Sequence, residues 1–290
     1  MLSLILFLLL PLSTLSAATA VSESAVPASS CQAYNHLTFG ILPFISNEQM
    51  VLQFSPLVQY LSTRLSIPVR IETAPDFAEF SRRTQQGERY DILFTAPHFY
   101  PRASDQAGYR LIASVDSSGL WAVIVAPEDS HIHGIEDLKG KRMATVQQAS
   151  LATLLIRKYL TSEGIDPDKD LTLVSTPSHD ASLLSTFHGV TDASSLMQPQ
   201  YAGASETVRD SMRIIARTES TPHIPISVSK RISDSCAEEI STLLIDMSSN
   251  KEGQQALSHN RFSGFRKAQA KEYDRMRELF SVQKTNARKR

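Results

Sequence analysis

Hydroxyl, imidazole and amide side chains gather at four places in this chain where an apolar run gives way to a helix start. They are Phe44 to Asn47, Thr95 to His98, Gln147 to Ser150, and Ser178 to Asp180. The first N–H groups of a helix are unpaired and carry the positive end of its dipole, and a serine, threonine or neutral histidine beside them adds another donor. Such a set suits a small oxyanion. Taken singly, each hydroxyl is better explained as an ordinary N-cap, worth on the order of 1 kcal/mol. Four similar turns facing one cleft ask for more than capping.

The turn in DILFTAPHFY (Asp91 to Tyr100) is the sharpest, because an apolar strand breaks into Thr-Ala-Pro-His with no glycine to explain it. In open α/β sheets ligands sit outside the carboxyl ends of strands, which places Thr95 and His98 where a small molecule would bind. A capping threonine and a surface histidine make the competing reading. His179 stands on an equivalent turn, whereas His131, His133, His188 and His259 lie in helices or loops without that placement. An imidazole titrating near neutrality would make binding sensitive to pH. Phe44, Phe99, Tyr100 and Trp121 are available to line the same space, although Phe99 suits the core equally well.

Catalytic patterns are missing from the sequence. It contains no G-x-S-x-G elbow, P-loop or H-E-x-x-H. Ser178, His179 and Asp180 are triad residue types, but neighbours on one turn point in different directions and cannot form the relay. Two cysteines remote in sequence exclude a finger-type zinc site and leave a histidine-carboxylate site open. The expectation is a binding protein without a cofactor.

Elements that would position these turns follow from the pattern between Leu37 and Ser229, where short apolar strands alternate with amphipathic helices. That alternation predicts an α/β fold of parallel sheets covered on both faces. Strands are expected at Leu37 to Leu42, Val69 to Ala74, Asp91 to Phe94, Leu111 to Asp116, Arg142 to Val146, Leu171 to Thr176, Asp192 to Met197 and Met212 to Ala216. Met50, Phe54, Leu57, Val58 and Leu61 recur at helical spacing after a cap at Ser46 or Asn47. Asp76 and Gly87 bracket a second helix. Ile135 to Lys141 reads as a short helix with a glycine stop. Trp121 to Pro127 reads as a crossover into a second lobe, and HIPISVS (His223 to Ser229) as the return. The expected organisation is a signal peptide (1–20), an amino-terminal arm (21–36), lobe one (37–120 plus 221–290) and lobe two (121–220).

Composition agrees with a globular protein. Of 290 residues, 42% are hydrophobic and 20% charged, and the formal net charge of −1 gives no reason to expect nucleic acid as a partner. The basic end, SVQKTNARKR, reads as a solvated tail. Leu2 to Leu15 is almost wholly apolar and leads into Ser16-Ala17-Ala18-Thr19-Ala20, a small-residue pattern that suits signal-peptidase cleavage. The segment before it lacks Lys and Arg, which keeps a buried helix of a cytosolic protein as the alternative. No other apolar run approaches the roughly 18 residues of a membrane span. Export to the periplasm would let Cys31 and Cys236 form one disulfide, the alternative being two free thiols. Cys31 lies too far beyond the apolar run for a lipoprotein site.

LTFGILPFISNEQMVLQFSPLVQYLSTRL, DILFTAPHFY and IEDLKGKRMATVQQASLATLLIRKYL together resemble the phosphate, phosphite and phosphonate ABC-importer substrate-binding proteins, over about Leu37 to Phe280. DLKGK is shared by many type II binding proteins and supports the fold more than the ligand. The resemblance implies a two-lobed type II periplasmic-binding-protein fold, each lobe a mostly parallel sheet flanked by helices, closing about two hinge crossovers on a small oxyanion. It implies an ABC permease as the partner; the alternative function is a periplasmic sensor that presents its liganded state to a histidine-kinase ectodomain, and a monomer is expected in either case. Ser150 and Thr153 match the hydroxyls that grip the oxyanion in that family, and His179 matches its histidine; Gln147 and Gln148 are bulkier than usual. ASSLMQPQYAGAS has no acid before Glu206, which argues against an aminoalkylphosphonate and leaves open a cleft that no longer binds oxyanions. The candidate contacts are Phe44, Ser46, Thr95, His98, Tyr100, Gln147, Gln148, Ser150, Thr153 and His179.

Overall fold

The computed structural model describes residues 29–279, so the apolar leader and most of the arm before Ser29, and the basic tail, lie outside the described residues. The first part of the chain runs β1 (Leu37–Ile41), α1 (Asn47–Leu65), β2 (Val69–Glu72), α2 (Phe77–Gln86), β3 (Ile92–Phe94), α3 (Tyr100–Ala107) and β4 (Arg110–Val115). Next come β5 (Ala122–Pro127), a 3-10 turn at Ile135–Leu138, β6 (Arg142–Val146), α4 (Leu151–Ser162), β7 (Thr172–Thr176), α5 (His179–Phe187), β8 (Ala193–Met197), α6 (Gln198–Gly203), α7 (Glu206–Asp210) and β9 (Met212–Arg217). Then follow β10 (Pro225–Val228), α8 (Asp234–Asp246), α9 (Lys251–Ser258), β11 (Phe265–Arg266) and a 3-10 segment at Ala270–Arg277.

Local chemistry sets the helix ends. Ser46 caps α1 by accepting the Gln49 N–H, and Met50, Phe54, Leu57, Val58 and Leu61 form its buried face. Asp76 caps α2 through the Glu79 N–H at 2.7 Å, and Gly87 ends it at φ 73°. Ser178 caps α5 by accepting the Ala181 N–H. The short helix expected at Ile135 is a single 3-10 turn.

Two sheets result, in the orders β11-β4-β10-β3-β1-β2 and β7-β6-β8-β5-β9. They are mixed. β1 is parallel to β2 and β3, and β6 to β7 and β8, whereas β10 and β5 run antiparallel to both of their neighbours. The expected parallel order is thus interrupted in each sheet by the strand arriving from the other lobe. That strand enters at the cleft, where the parallel strands end, so it must run against them. Apart from β11 the two sheets repeat one order, with the inserted strand between the third and fourth parallel strands.

Phe39, Phe54, Ile92, Phe94 and Ile240 fill the first lobe's core, and Ile124, Met143, Ile156 and Leu160 the second's. Val146, at the end of β6, packs into the first lobe's core across the cleft. Cys31 and Cys236 are disulfide-bonded, fastening the amino-terminal arm to α8.

The two connections between lobes run side by side. Leu120 and Thr221 exchange backbone hydrogen bonds of 2.9 and 2.7 Å. Gly119 adopts φ 112°, and a Cβ there would lie 2.3 Å from Ser220 Oγ and 2.5 Å from the Thr221 carbonyl, so only glycine fits. Below them the Tyr273 hydroxyl donates to the His223 carbonyl at 2.9 Å and lies 3.1 Å from Ser114 Oγ.

Candidate functional site

The strand ends of both lobes face a cleft of about 1110 Å³. Its walls come from the turns after β1 and β3 in lobe one, the turns after β7 and β8 in lobe two, and the segment from His259 to Ser263 beyond α9. The four polar turns read in the sequence meet in pairs across the gap. The His179 N–H donates to the Phe44 carbonyl at 3.4 Å, and Asp180 accepts the Ser46 N–H. His98 Nε2–H donates to the Ala149 carbonyl at 2.9 Å, and the Phe77 N–H donates to Gln147 Oε1 at 3.0 Å. The lobes are therefore closed on one another.

Phe44, Ser46, Thr95 and His179 lie on the cleft wall. Thr95 is 1% exposed, and its hydroxyl has no hydrogen-bond partner among the described residues. A buried hydroxyl left in that state costs on the order of 1–3 kcal/mol. His179 accepts the Met197 N–H at Nδ1, 3.4 Å away, which puts the ring proton on Nε2. Burial holds its titration down to about 3. The neutral ring is thus a fixed donor, and the sensitivity to pH near neutrality expected of it is removed.

Six other candidates lie off that wall. Ser150 caps α4 through the Thr153 N–H and donates its own hydroxyl to Thr153 Oγ1 at 3.0 Å, while the Thr153 hydroxyl donates to the Val146 carbonyl at 2.8 Å. Both side chains are buried and turned into their own lobe. Gln147 bonds α2, and Gln148 is exposed. His98 is no rim residue; it is wholly buried where the lobes meet, and burial brings its titration to about 4. Tyr100 opens α3 and packs edge-on against Tyr273, with centroids 5.3 Å apart. Trp121 is also off the wall and lies under the Arg217 guanidinium.

Other residues of the cleft lie outside the ten candidate contacts. The stretch from Met197 to Ser205 lines the cleft because β8 sits beside β6, at the point where the strand order reverses. His259, Asn260, Arg261 and Phe262 arrive from beyond α9, with Arg261 at φ 56° and its Nη1 donating to the Ala202 carbonyl across the gap at 3.2 Å. Asp180 brings a carboxylate whose pKa burial pushes up. His223 lines the hinge side; its Nδ1 accepts the Ile224 N–H, and burial, with Arg266 nearby, lowers its titration to about 4. The rest is largely apolar. Phe94 stacks between Phe44 and Phe262 at 6.1 and 6.0 Å, and Leu183, Leu196, Met197 and Val208 face it from lobe two.

Known proteins share this arrangement. A crystal structure of the binding-protein component of an ABC phosphonate transporter from Pseudomonas aeruginosa superposes with a TM-score of 0.77 at 19% identity, over 84% of this chain and 85% of that one. PhnD1 from Prochlorococcus marinus (MIT 9301), solved in complex with methylphosphonate, gives 0.77 at 17% identity, over 86% and 98%. The fold is the two-lobed type II periplasmic-binding-protein fold. In sequence, the phosphonates-binding periplasmic protein of Escherichia coli (strain K12) is 31% identical over 113 residues, 37% of this chain and 32% of that relative's length. The family model for ABC transporter, phosphonate, periplasmic substrate-binding proteins matches residues 39–273. With four fifths of its length inside that match, the chain belongs to the phosphonate ABC-transporter periplasmic substrate-binding protein family.

Proposed function

We propose that this protein is exported to the periplasm, captures a small ligand with a phosphonate-type oxyanion head between its lobes, and delivers it to an ABC permease. The observation that carries this reading is the Thr95 hydroxyl, buried on the cleft wall without a partner among the described residues in a chain of this family. A ligand oxygen at Thr95 would supply the missing acceptor, and His179 Nε2–H offers a second donor on the same cleft. Both residues flank Phe44: Phe94, next to Thr95 in sequence, stacks on its ring, and the His179 N–H reaches its carbonyl.

Closure follows from the hinge. The bonds from His179 to Phe44, His98 to Ala149 and Phe77 to Gln147 each join one lobe to the other, so all of them break when the lobes part. Ligand bound in the closed state draws the equilibrium toward it by its affinity difference between the two states. His179, whose Nδ1 accepts the Met197 N–H, keeps its ring proton on Nε2 and is arranged as a hydrogen-bond donor to a ligand, which supports capture.

Calorimetry on unfolded and refolded, ligand-free protein tests the reading with phosphate, phosphite and methyl- to hexylphosphonates. At least one should bind, and Thr95→Val should weaken that binding at least tenfold, the scale of a hydrogen bond to a charged group. No heat with any of them at millimolar concentration would remove the oxyanion reading.

A further inference from the structure

We propose that the ligand of this cleft carries a bulky apolar substituent, alkyl or aryl, beside its anionic head. The inference rests on the capture reading above and narrows its ligand class.

Size is the first observation. At about 1110 Å³ the cleft exceeds the roughly 300–1000 Å³ usual for drug-sized ligands. At about 30 Å³ per water, it has room for on the order of 35 waters. A bare tetraoxyanion would displace only a few of them and leave most of the wall wet.

The chemistry of that wall is the second. Phe44, Phe94 and Phe262 form one stacked apolar face, and Leu183, Leu196 and Met197 the opposite one. The apolar surface continues to the rim, where Leu52 of α1 and Leu184 of α5 line the cleft while 59% and 40% exposed. Folding gives no reason for exposed leucines on both lobes at one opening, whereas an apolar ligand buried between them does.

Charge is the third. Among the described residues Arg261 is the only Lys or Arg on the wall, and it is exposed with Nη1 engaged on Ala202, while the Asp180 carboxylate also faces the cleft. A dianion desolvated here would meet hydroxyl and imidazole donors but no buried positive charge. Apolar contact from a substituent offsets that desolvation. The geometry thus favours one anionic head at Thr95 and His179, with the organic body between the aromatic and aliphatic walls.

Titration calorimetry with inorganic phosphate and with methyl-, butyl-, hexyl- and phenylphosphonate tests this, with butyrate and hexanoate as a second arm. Affinity should rise about fourfold per buried methylene, giving at least a hundredfold from methyl- to hexylphosphonate. Leu184→Asp, at an exposed position, should cut hexylphosphonate affinity at least tenfold. Phosphonates that bind with no dependence on chain length would overturn the proposal and leave the capture reading intact. Carboxylates that bind with the rise, while phosphonates do not bind, would keep the apolar substituent and remove the phosphonate head. Binding by none of them, or hexylphosphonate affinity unchanged in Leu184→Asp, would overturn the proposal.

Discussion

Lowering the pH should destabilise this protein through three buried histidines, and His223 gives the cleanest test. Burial, with a smaller contribution from Arg266, brings its titration to about 4, and burial first of all brings His98 to about 4 and His179 to about 3. In the unfolded chain each returns to about 6.5. The folded value lies below the unfolded one, so between them the unfolded state binds more protons and stability falls as pH falls. The loss begins near pH 6.5, runs at about 1.4 kcal/mol per pH unit per group, and levels off below the folded value. From pH 7.5 to pH 5 each histidine therefore removes about 2 kcal/mol, and the three about 6 kcal/mol, a large part of an ordinary stability of about 5–15 kcal/mol. Urea unfolding at pH 7.5, 6.5, 5.5 and 5.0 on the wild type and His223→Asn measures this. Asparagine Oδ1 stands where Nδ1 does and can still accept the Ile224 N–H but does not titrate, so the variant should lose about 2 kcal/mol less than the wild type over the same range. Parallel curves for the two proteins would refute the reasoning, because they would mean that His223 takes up its proton without unfolding.

Two further perturbations address the hinge and the arm. Gly119→Ala places a Cβ 2.3 Å from Ser220 Oγ at φ 112°, and should cost at least about 2 kcal/mol in urea unfolding by forcing the Leu120–Thr221 pairing apart. An unchanged midpoint would show that the crossover strands have room to spare. Replacing Cys31 and Cys236 together by serine removes a link between residues 205 apart, for which chain entropy alone gives up to about 5 kcal/mol. The thermal midpoint should drop by several degrees, and an equal midpoint in both proteins would show that the arm adds nothing to the stability of the lobes.

Element positions were legible in the sequence because their causes are local. A cap reaches three residues along the chain, as Ser46 to Gln49 and Asp76 to Glu79 do, and an apolar face recurs every three or four residues, as along α1. The turns at Phe44, Thr95 and His179 were found in the same way, from polar residues where a strand pattern stops. Side-chain direction was not legible. Ser150 and Thr153 have the right types at the right turn, yet their hydroxyls close on each other and on Val146; His98 has a surface residue's composition cues and is wholly buried against the other lobe. Sheet order was also hidden, since the place of β8 beside β6 depends on how β5 enters the sheet. Local periodicity and capping thus determined which segments are strands, helices and polar turns. Only the packing of the two lobes decided which polar atoms are consumed by the fold and which face the cleft, because that depends on contacts between residues distant in the chain, such as His179 with Phe44 and Arg261 with Ala202.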